Sequence, residues 1–344
     1  MTDTMLAAVW HGPGLENFRL EEVPVPEIGP GDVLLRIRAC YFGALSLRAI
    51  LTGHPKLTPP MVLGRMVSGD VAAVGEGVTT VKVGDRITVD PVASCGHCFY
   101  CENNEPTHCL NQTKLSPGGL ATYTRIAAPL VPGIVGLADD VSYEEGAYSD
   151  TLGPVLQGME KANVRHGDTV VLIGCGGVGL TFIPLLKGAG AAQIIAADVE
   201  DQALDAAEAA GATHTVNTLR QDLGTVARDL TQGRGADVVV EAVGRAATYR
   251  LCFDIVRYAG TIVGFGGCPP ETTMELDPNL IHYGSLRILG TSHCSPAIFR
   301  RAVALINAGF DLSHIITHRL SLEDVHQAIE VFPQVECKTL VIMP

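Results

Sequence analysis

Residues 169–179 read Thr-Val-Val-Leu-Ile-Gly-Cys-Gly-Gly-Val-Gly. Thr169–Ile173, uncharged and β-branched, predicts a buried strand, and the apolar stretch that runs on to about Lys187 predicts a helix. Between them lies the spacing Gly174-x-Gly176-x-x-Gly179, which encloses Gly177 and Val178. Glycines at such positions permit a tight turn and a close backbone approach to a pyrophosphate, held at the helix N-terminus. A second predicted strand, Gln193–Ala197, leads into Asp198, 19 residues beyond Gly179. A carboxylate there accepts hydrogen bonds from the adenosine ribose hydroxyls. Glu200 and Asp201 place negative charge where a 2′-phosphate would lie, and no Arg or Lys follows at once, so NAD(H) is favoured over NADP(H). A glycine-rich turn alone often serves packing only. Here strand, turn, helix, second strand and acid occur in order, which makes the dinucleotide reading the stronger one.

The same rhythm continues downstream. Gln202–Ala210 reads as an Ala-rich helix, and Ala236–Val240 and Thr261–Gly264 read as further strands with helical stretches between. Strands alternating with helices mean βαβ units and a parallel sheet, so the expectation is a Rossmann-type, doubly wound NAD-binding domain over residues 152–290. Pro184, inside the first helix, is expected to remove one backbone bond and kink the axis. Before residue 150 the pattern differs. Short strands such as Asp32–Ala39, Gly69–Val74 and Arg86–Val89 are separated by Gly29-Pro30-Gly31 and Val83-Gly84-Asp85, which suggests a small barrel or sandwich. From about residue 291 the chain returns to mixed helix and strand.

The 344 residues carry 24 − 37 = −13 formal charges, with 47% hydrophobic and 18% charged side chains. That length favours two domains with real cores, and the composition excludes a disordered chain. The acidic balance, with a pI near 5.2, argues against nucleic-acid or anionic-membrane partners. The 18 uncharged residues between Asp168 and Lys187 are long enough to suggest a membrane span, but their glycines and Pro184 fit a strand, turn and helix better. Met1–Trp10 has no basic segment followed by an apolar one, so no secretion signal is read. Together with scattered cysteines, this fits a soluble protein of the cytoplasm.

Four of the ten cysteines cluster as Cys95-x2-Cys98-x2-Cys101-x7-Cys109. Four thiolates on one loop suit tetrahedral zinc–sulfur coordination, and a site closed by four protein ligands is structural rather than catalytic. Two disulfides or idle thiols are the alternative, which CxxC pairs in a cytosolic chain disfavour.

Taken together, these features resemble the zinc-containing alcohol dehydrogenases of the medium-chain dehydrogenase/reductase superfamily. The resemblance spans essentially the whole chain. It rests on the cysteine lobe, the cofactor fingerprint, Val74-Gly-Glu-Gly-Val78, Val83-Gly-Asp-Arg86, Gly118-Gly-Leu-Ala-Thr-Tyr123 and Ile316-Thr-His-Arg319. It implies an α/β protein in which a GroES-like β-barrel-type domain, residues 1–151 and 291–344, accompanies the Rossmann domain. It also implies an active site in the cleft between domains, a small-molecule substrate, and a homodimer or homotetramer.

The sequence departs from that family at its second, catalytic zinc. Aligned on Arg38-Ala39-Cys40, the position of the first ligand is Gly43, and that of the proton-relaying hydroxyl is Leu45. The family's Gly-His-Glu reads Gly64-Arg65-Met66, and only Asp150 retains a ligand-type side chain at the third position. A shift of three residues would let Cys40 serve instead. A guanidinium stays protonated and offers no lone pair, so Arg65 argues against a metal, and the catalytic zinc is expected to be absent.

Arg65, paired with Asp150, would then supply a fixed charge that polarises a carbonyl or steadies a developing oxyanion; a plain ion pair filling a vacated hole is the alternative. Tyr41, Arg48, His54 and Tyr123 are candidate proton donors, with packing or surface roles as their alternative. His282, His293, His314 and His318 lack ligand spacing and read as loop histidines. The expected activity is NAD(H)-dependent hydride transfer to or from a small substrate with an activated C=C, C=N or carbonyl/alcohol group. An epimerase or lyase using NAD transiently, and a non-catalytic NAD(H)-binding protein, are the competing readings.

Overall fold

In the computed structural model, residues 3–54, 57–312, 315–331 and 338–342 are described. The chain divides into two compact units: Met1–Gly153 with Ser295–Pro344, and Pro154–Cys294.

The second unit holds six parallel strands, numbered within it β1 (Thr169–Ile173), β2 (Gln193–Asp198), β3 (His214–Asn217), β4 (Ala236–Glu241), β5 (Val256–Gly264) and β6 (Arg287–Gly290). Their order is β3-β2-β1-β4-β5-β6, a doubly wound sheet that reverses direction between β1 and β4. All five residues of β1 are buried, because helices cover both faces of a parallel sheet and its central strands need apolar side chains throughout. Val171, Ile173, Ile195 and Val239 pack with Leu223, Ala227 and Ile255 in one core cluster. The uncharged stretch after Asp168 is β1, a turn and the helix Gly177–Gly188, which runs on through Pro184. Among the described residues no helix is long and apolar enough to cross a membrane.

β5 begins at Val256, ahead of the expected Thr261, because of a wide bulge. Ala236 pairs with Val256 and Val238 with Thr261, so Asp237 alone faces residues 257–260.

The first unit is built of antiparallel sheets around one core. Val33–Phe42 pairs with Val67–Val74 on one side and, through its other end, with Lys338–Ile342, which in turn pairs in parallel with Ile316–Ser321. Thr4–Trp10, flanked by Phe18–Pro24 and Met61–Val62, forms a second sheet. Trp10, Phe18, Leu35, Ile37, Phe42 and Leu120 fill the space enclosed. The glycine pair of Gly118-Gly-Leu is a steric necessity, since a Cβ on Gly118 would stand 2.3 Å from the Leu63 carbonyl oxygen.

Charged contacts fasten the rim. Arg319 grips Glu144 with two nitrogens, at 2.7 Å from Nε and 2.6 Å from an Nη, tying the strand Ile316–Ser321 to the helix Tyr143–Ala147. Asp70 accepts from Arg38 Nε at 2.7 Å and from the Tyr143 hydroxyl, while Arg86 lies 4.5 Å over the Tyr143 ring. Burial alone would raise the Asp70 carboxyl, but the Tyr143 and Arg38 hydrogen bonds outweigh it and hold it below the usual carboxylate range.

Candidate functional site

The C-terminal ends of β1 and β2 build a cradle. Gly174 takes φ +97°, a left-handed conformation that a side chain strains. A Cβ on Gly179 would fall 1.9 Å from the Gly174 carbonyl oxygen, so the turn closes only around glycine. The helix Gly177–Gly188 is N-capped by Gly176, which has no side chain with which to cap it. Val178 stands half-buried in its first turn, and Cys175 is fully buried. Asp198 ends β2 and bends over the turn: Oδ2 accepts the Cys175 N–H at 2.7 Å, and Oδ1 accepts the Val199 N–H at 2.6 Å and the Glu200 N–H at 3.2 Å. Glycines that bring backbone close, a helix start capped by glycine and a carboxylate beside them fit a dinucleotide's pyrophosphate and ribose.

Two members of this region escaped the sequence reading. Arg220, which follows β3, bonds Asp201, so a cation does reach the end of β2 from a distant segment. Glu241 ends β4 directly beside Ile173. It is fully buried, and Oε1 accepts the N–H groups of Val243 at 3.1 Å and Gly244 at 2.8 Å and the Thr248 hydroxyl at 2.6 Å. Its carbonyl accepts from Phe265 and Gly266, so this one residue shapes the loops after both β4 and β5. Its only trace in the sequence is a charge closing the apolar run Ala236–Val240.

The cysteine lobe belongs to the first unit. The four sulfurs of Cys95, Cys98, Cys101 and Cys109 lie within 4.8 Å of one another, the sole cluster of three or more potential metal ligands among the described residues. Zinc–sulfur bonds near 2.3 Å place tetrahedral sulfurs roughly 3.8 Å apart, so the group fits zinc with little movement. Backbone N–H groups are already aimed at the sulfurs: Cys95 and Asn111 donate to Cys109 Sγ at 3.2 and 3.3 Å. Hydrogen bonds from the Leu110 and Cys101 N–H groups bring the Cys98 thiol down to about 6.

The segments that the resemblance associates with a second metal also meet in the first unit. A Cβ on Gly43 would lie 3.1 Å from Met66 Cε, the Tyr41 N–H donates to the Met66 carbonyl at 3.0 Å, and the Thr151 hydroxyl donates to Met66 Sδ at 3.2 Å. What gathers around Met66 is thus a glycine, a thioether and a hydroxyl. Asp150 stands next to Thr151 in the first turn of Ser149–Ala162, and Arg65 stands next to Met66. Arg65 is half-buried and makes no ion pair or side-chain hydrogen bond among the described residues, so the expected pairing with Asp150 is not formed.

Cys40 packs against Gly64 and Gly119. Its sulfur is packed where a Cβ on Gly64 would lie 2.7 Å away and one on Gly119 3.0 Å away, and burial pushes the thiol up. Both faces of Val33–Phe42 are covered at this end, so alternation along the strand did not reveal which way Cys40 points.

The candidate proton donors separate. Tyr41 is fully buried, its ring 5.1 Å from that of Tyr148 and its hydroxyl without a hydrogen-bond partner. Burial raises it far above an ordinary phenol. Arg48 lies exposed on the helix Ala44–Thr52 beside exposed Leu45, while Phe42 belongs to the core. His282 and His318 are not loop residues: the first sits in the helix Pro278–Gly284 and the second in the strand Ile316–Ser321. His314 and Cys337 lie outside the described residues.

Comparison with known proteins agrees with this geometry. Residues 29–134 match the family described as alcohol dehydrogenase GroES-like domain, and residues 177–308 match that described as zinc-binding dehydrogenase. The chain is 30% identical to an L-threonine 3-dehydrogenase of Symbiobacterium thermophilum, covering 100% of this chain and 99% of that protein. It is 29% identical to a sorbitol dehydrogenase of Bacillus subtilis, over 99% of this chain and 97% of the relative. A zinc-binding dehydrogenase from Sinorhizobium meliloti, solved with NADP bound, superposes with a TM-score of 0.92 at 29% identity, covering 99% of this chain and 100% of its own.

Proposed function

This chain belongs to the zinc-binding alcohol dehydrogenase family and is an NAD(P)-dependent, alcohol-dehydrogenase-like oxidoreductase, and we propose that it works with NAD(H) and without a catalytic zinc. The observation that carries the proposal is the set of side chains around Met66: Gly43 offers no donor, Met66 a soft thioether, and Arg65 a permanent positive charge. A single carboxylate, Asp150, is a poor match for a dication next to a guanidinium.

Gly174, Gly176, Gly177, Val178, Gly179 and Asp198 would hold the cofactor, which when bound carries hydride to or from a small organic substrate. The preference for NAD(H) rests on Asp198, since a carboxylate that takes ribose hydroxyls repels a 2′-phosphate. Arg220, the cation that reaches this region from beyond β3, is engaged by Asp201.

Zinc serves its relatives by polarising a carbonyl and acidifying an alcohol. Without it, an activated C=C or C=N bond, or a carbonyl assisted by Arg65, is the fitting substrate class. Arg65 supplies the fixed positive charge that steadies an oxyanion as it develops. Tyr41, neutral and sealed, serves packing in this reading, and Arg48 stands on the outer face of its helix. Cys95, Cys98, Cys101 and Cys109 hold one structural zinc. A homo-oligomer is supported by the outer edge of β6, where Ile288 is 45% exposed, and by Tyr283 of the preceding helix, 76% exposed.

Elemental analysis together with an NADH-oxidation screen over enones, imines and carbonyls tests this reading. About one zinc per chain with turnover is the expected outcome. About two per chain would restore an ordinary zinc alcohol dehydrogenase.

A further inference from the structure

At the end of the parallel sheet opposite the cofactor cradle, the N-terminal ends of β1, β4, β5 and β6 surround a cavity of about 410 Å³. Three guanidinium groups, Arg165, Arg257 and Arg287, line it, against two carboxylates, Asp168 and Asp237. The balance is 3 − 2 = +1 on a chain whose net charge is −13.

The carboxylates are already engaged. Asp237 takes Arg257 Nε at 2.6 Å on one oxygen and the Thr169 N–H at 2.8 Å on the other, and Asp168 takes the Arg165 backbone N–H at 2.8 Å. The guanidinium groups of Arg165 and Arg287 make no ion pair or hydrogen bond among the described residues. These two arginines lie 122 positions apart and come from different connections, so the fold rather than a run of basic sequence brings them to one hollow.

Left-handed backbone gathers around the cavity, at two helix C-termini and in the β5 bulge. Of the seven described non-glycine residues with positive φ, three line it: Asn163 at 51°, Ala259 at 57° and Ser285 at 49°. Ala259 has no side-chain group with which to compensate for a left-handed conformation. It sits in the β5 bulge, which also sets Arg257 opposite Asp237.

We propose that this cavity binds a phosphate-type oxyanion, either free or carried on a small phosphorylated metabolite. Guanidinium forks match phosphate oxygens in pairs, and two unengaged forks facing one hollow give such an anion its contacts. The site is separate from the cofactor cradle and independent of the reaction proposed above.

Calorimetric titration of the NADH-saturated enzyme with inorganic phosphate, and separately with glycerol 3-phosphate, tests it against sodium chloride at matched ionic strength. NADH keeps the titrant out of the cradle. The expected result is one saturable site per chain, weakened roughly tenfold or more in the double variant Arg165→Gln, Arg287→Gln and unchanged in Arg250→Gln. Tighter binding of the ester would identify a phosphorylated metabolite as the source, and equal binding the free ion. Saturable heat that is absent in the wild type, or that survives in the double variant, overturns the proposal. Both substituted arginines are exposed, and an unaltered affinity for NADH in the double variant verifies that it is folded.

Discussion

The carboxylate of Asp198 accepts the backbone N–H of Cys175 at 2.7 Å, which fastens the end of β2 to the glycine turn that leaves β1. The acid therefore has two duties, to fix the turn and to meet a ribose, and its loss is felt in both.

Asp198→Ala is expected to weaken NADH binding by roughly tenfold to a hundredfold, the cost of one hydrogen bond to a charged acceptor, and to narrow the preference over NADPH. Fluorescence titration with both nucleotides measures this. An unchanged ratio of the two affinities would show that cofactor choice lies elsewhere.

Arg65→Met removes the guanidinium next to Met66 and breaks no ion pair or side-chain hydrogen bond to another described residue. The expected loss is roughly 10²–10³ in turnover, or about 3–4 kcal/mol, with NADH affinity preserved. Turnover equal to that of the parent enzyme would reduce Arg65 to a space-filling residue.

Cys98→Ser breaks the tetrahedral set in the first unit. Zinc should fall from about one per chain to a substoichiometric amount, and the thermal transition should drop, while NADH still binds to the second unit. Full zinc retention in this variant would mean that the metal is held elsewhere.

The Asp70 cluster sets a pH dependence. Its carboxyl is held below the usual range, so the ionised form contributes stability above the unfolded value near 4, and that stability is lost as pH falls through the lower folded value. Asp70→Asn should cost about 1–3 kcal/mol at pH 7, with the gap to the parent narrowing below about pH 4. Denaturant titrations at the two pH values report it, and a gap independent of pH would assign the effect to packing.

The dinucleotide half was legible because close packing leaves no choice: β1 must be apolar on both faces, and Gly179 must lack a Cβ. β1 and the strand Arg86–Val89 span the residues expected for them. The start of β5 was not legible. The residues before Thr261 read only as part of a helical stretch between strands, and Ala259 at φ 57° carries no local sign of its conformation. The burial of Tyr41 and the inward turn of Cys40 depend on Tyr148, Gly64 and Gly119, which arrive from other segments. The same holds for Glu241, whose partners are backbone groups that exist only once the loops are formed.

Phe42 pairs with Thr339, almost 300 positions later in the chain, while β1 to β6 all fall within one continuous stretch. On a ribosome, which releases the chain from its N-terminus, the nucleotide-binding half can therefore close while its companion still waits for its last strand. Until that strand emerges, Val33–Phe42 keeps one stretch of its edge unpaired, and this is the interval in which a chaperone or a stray strand would find it.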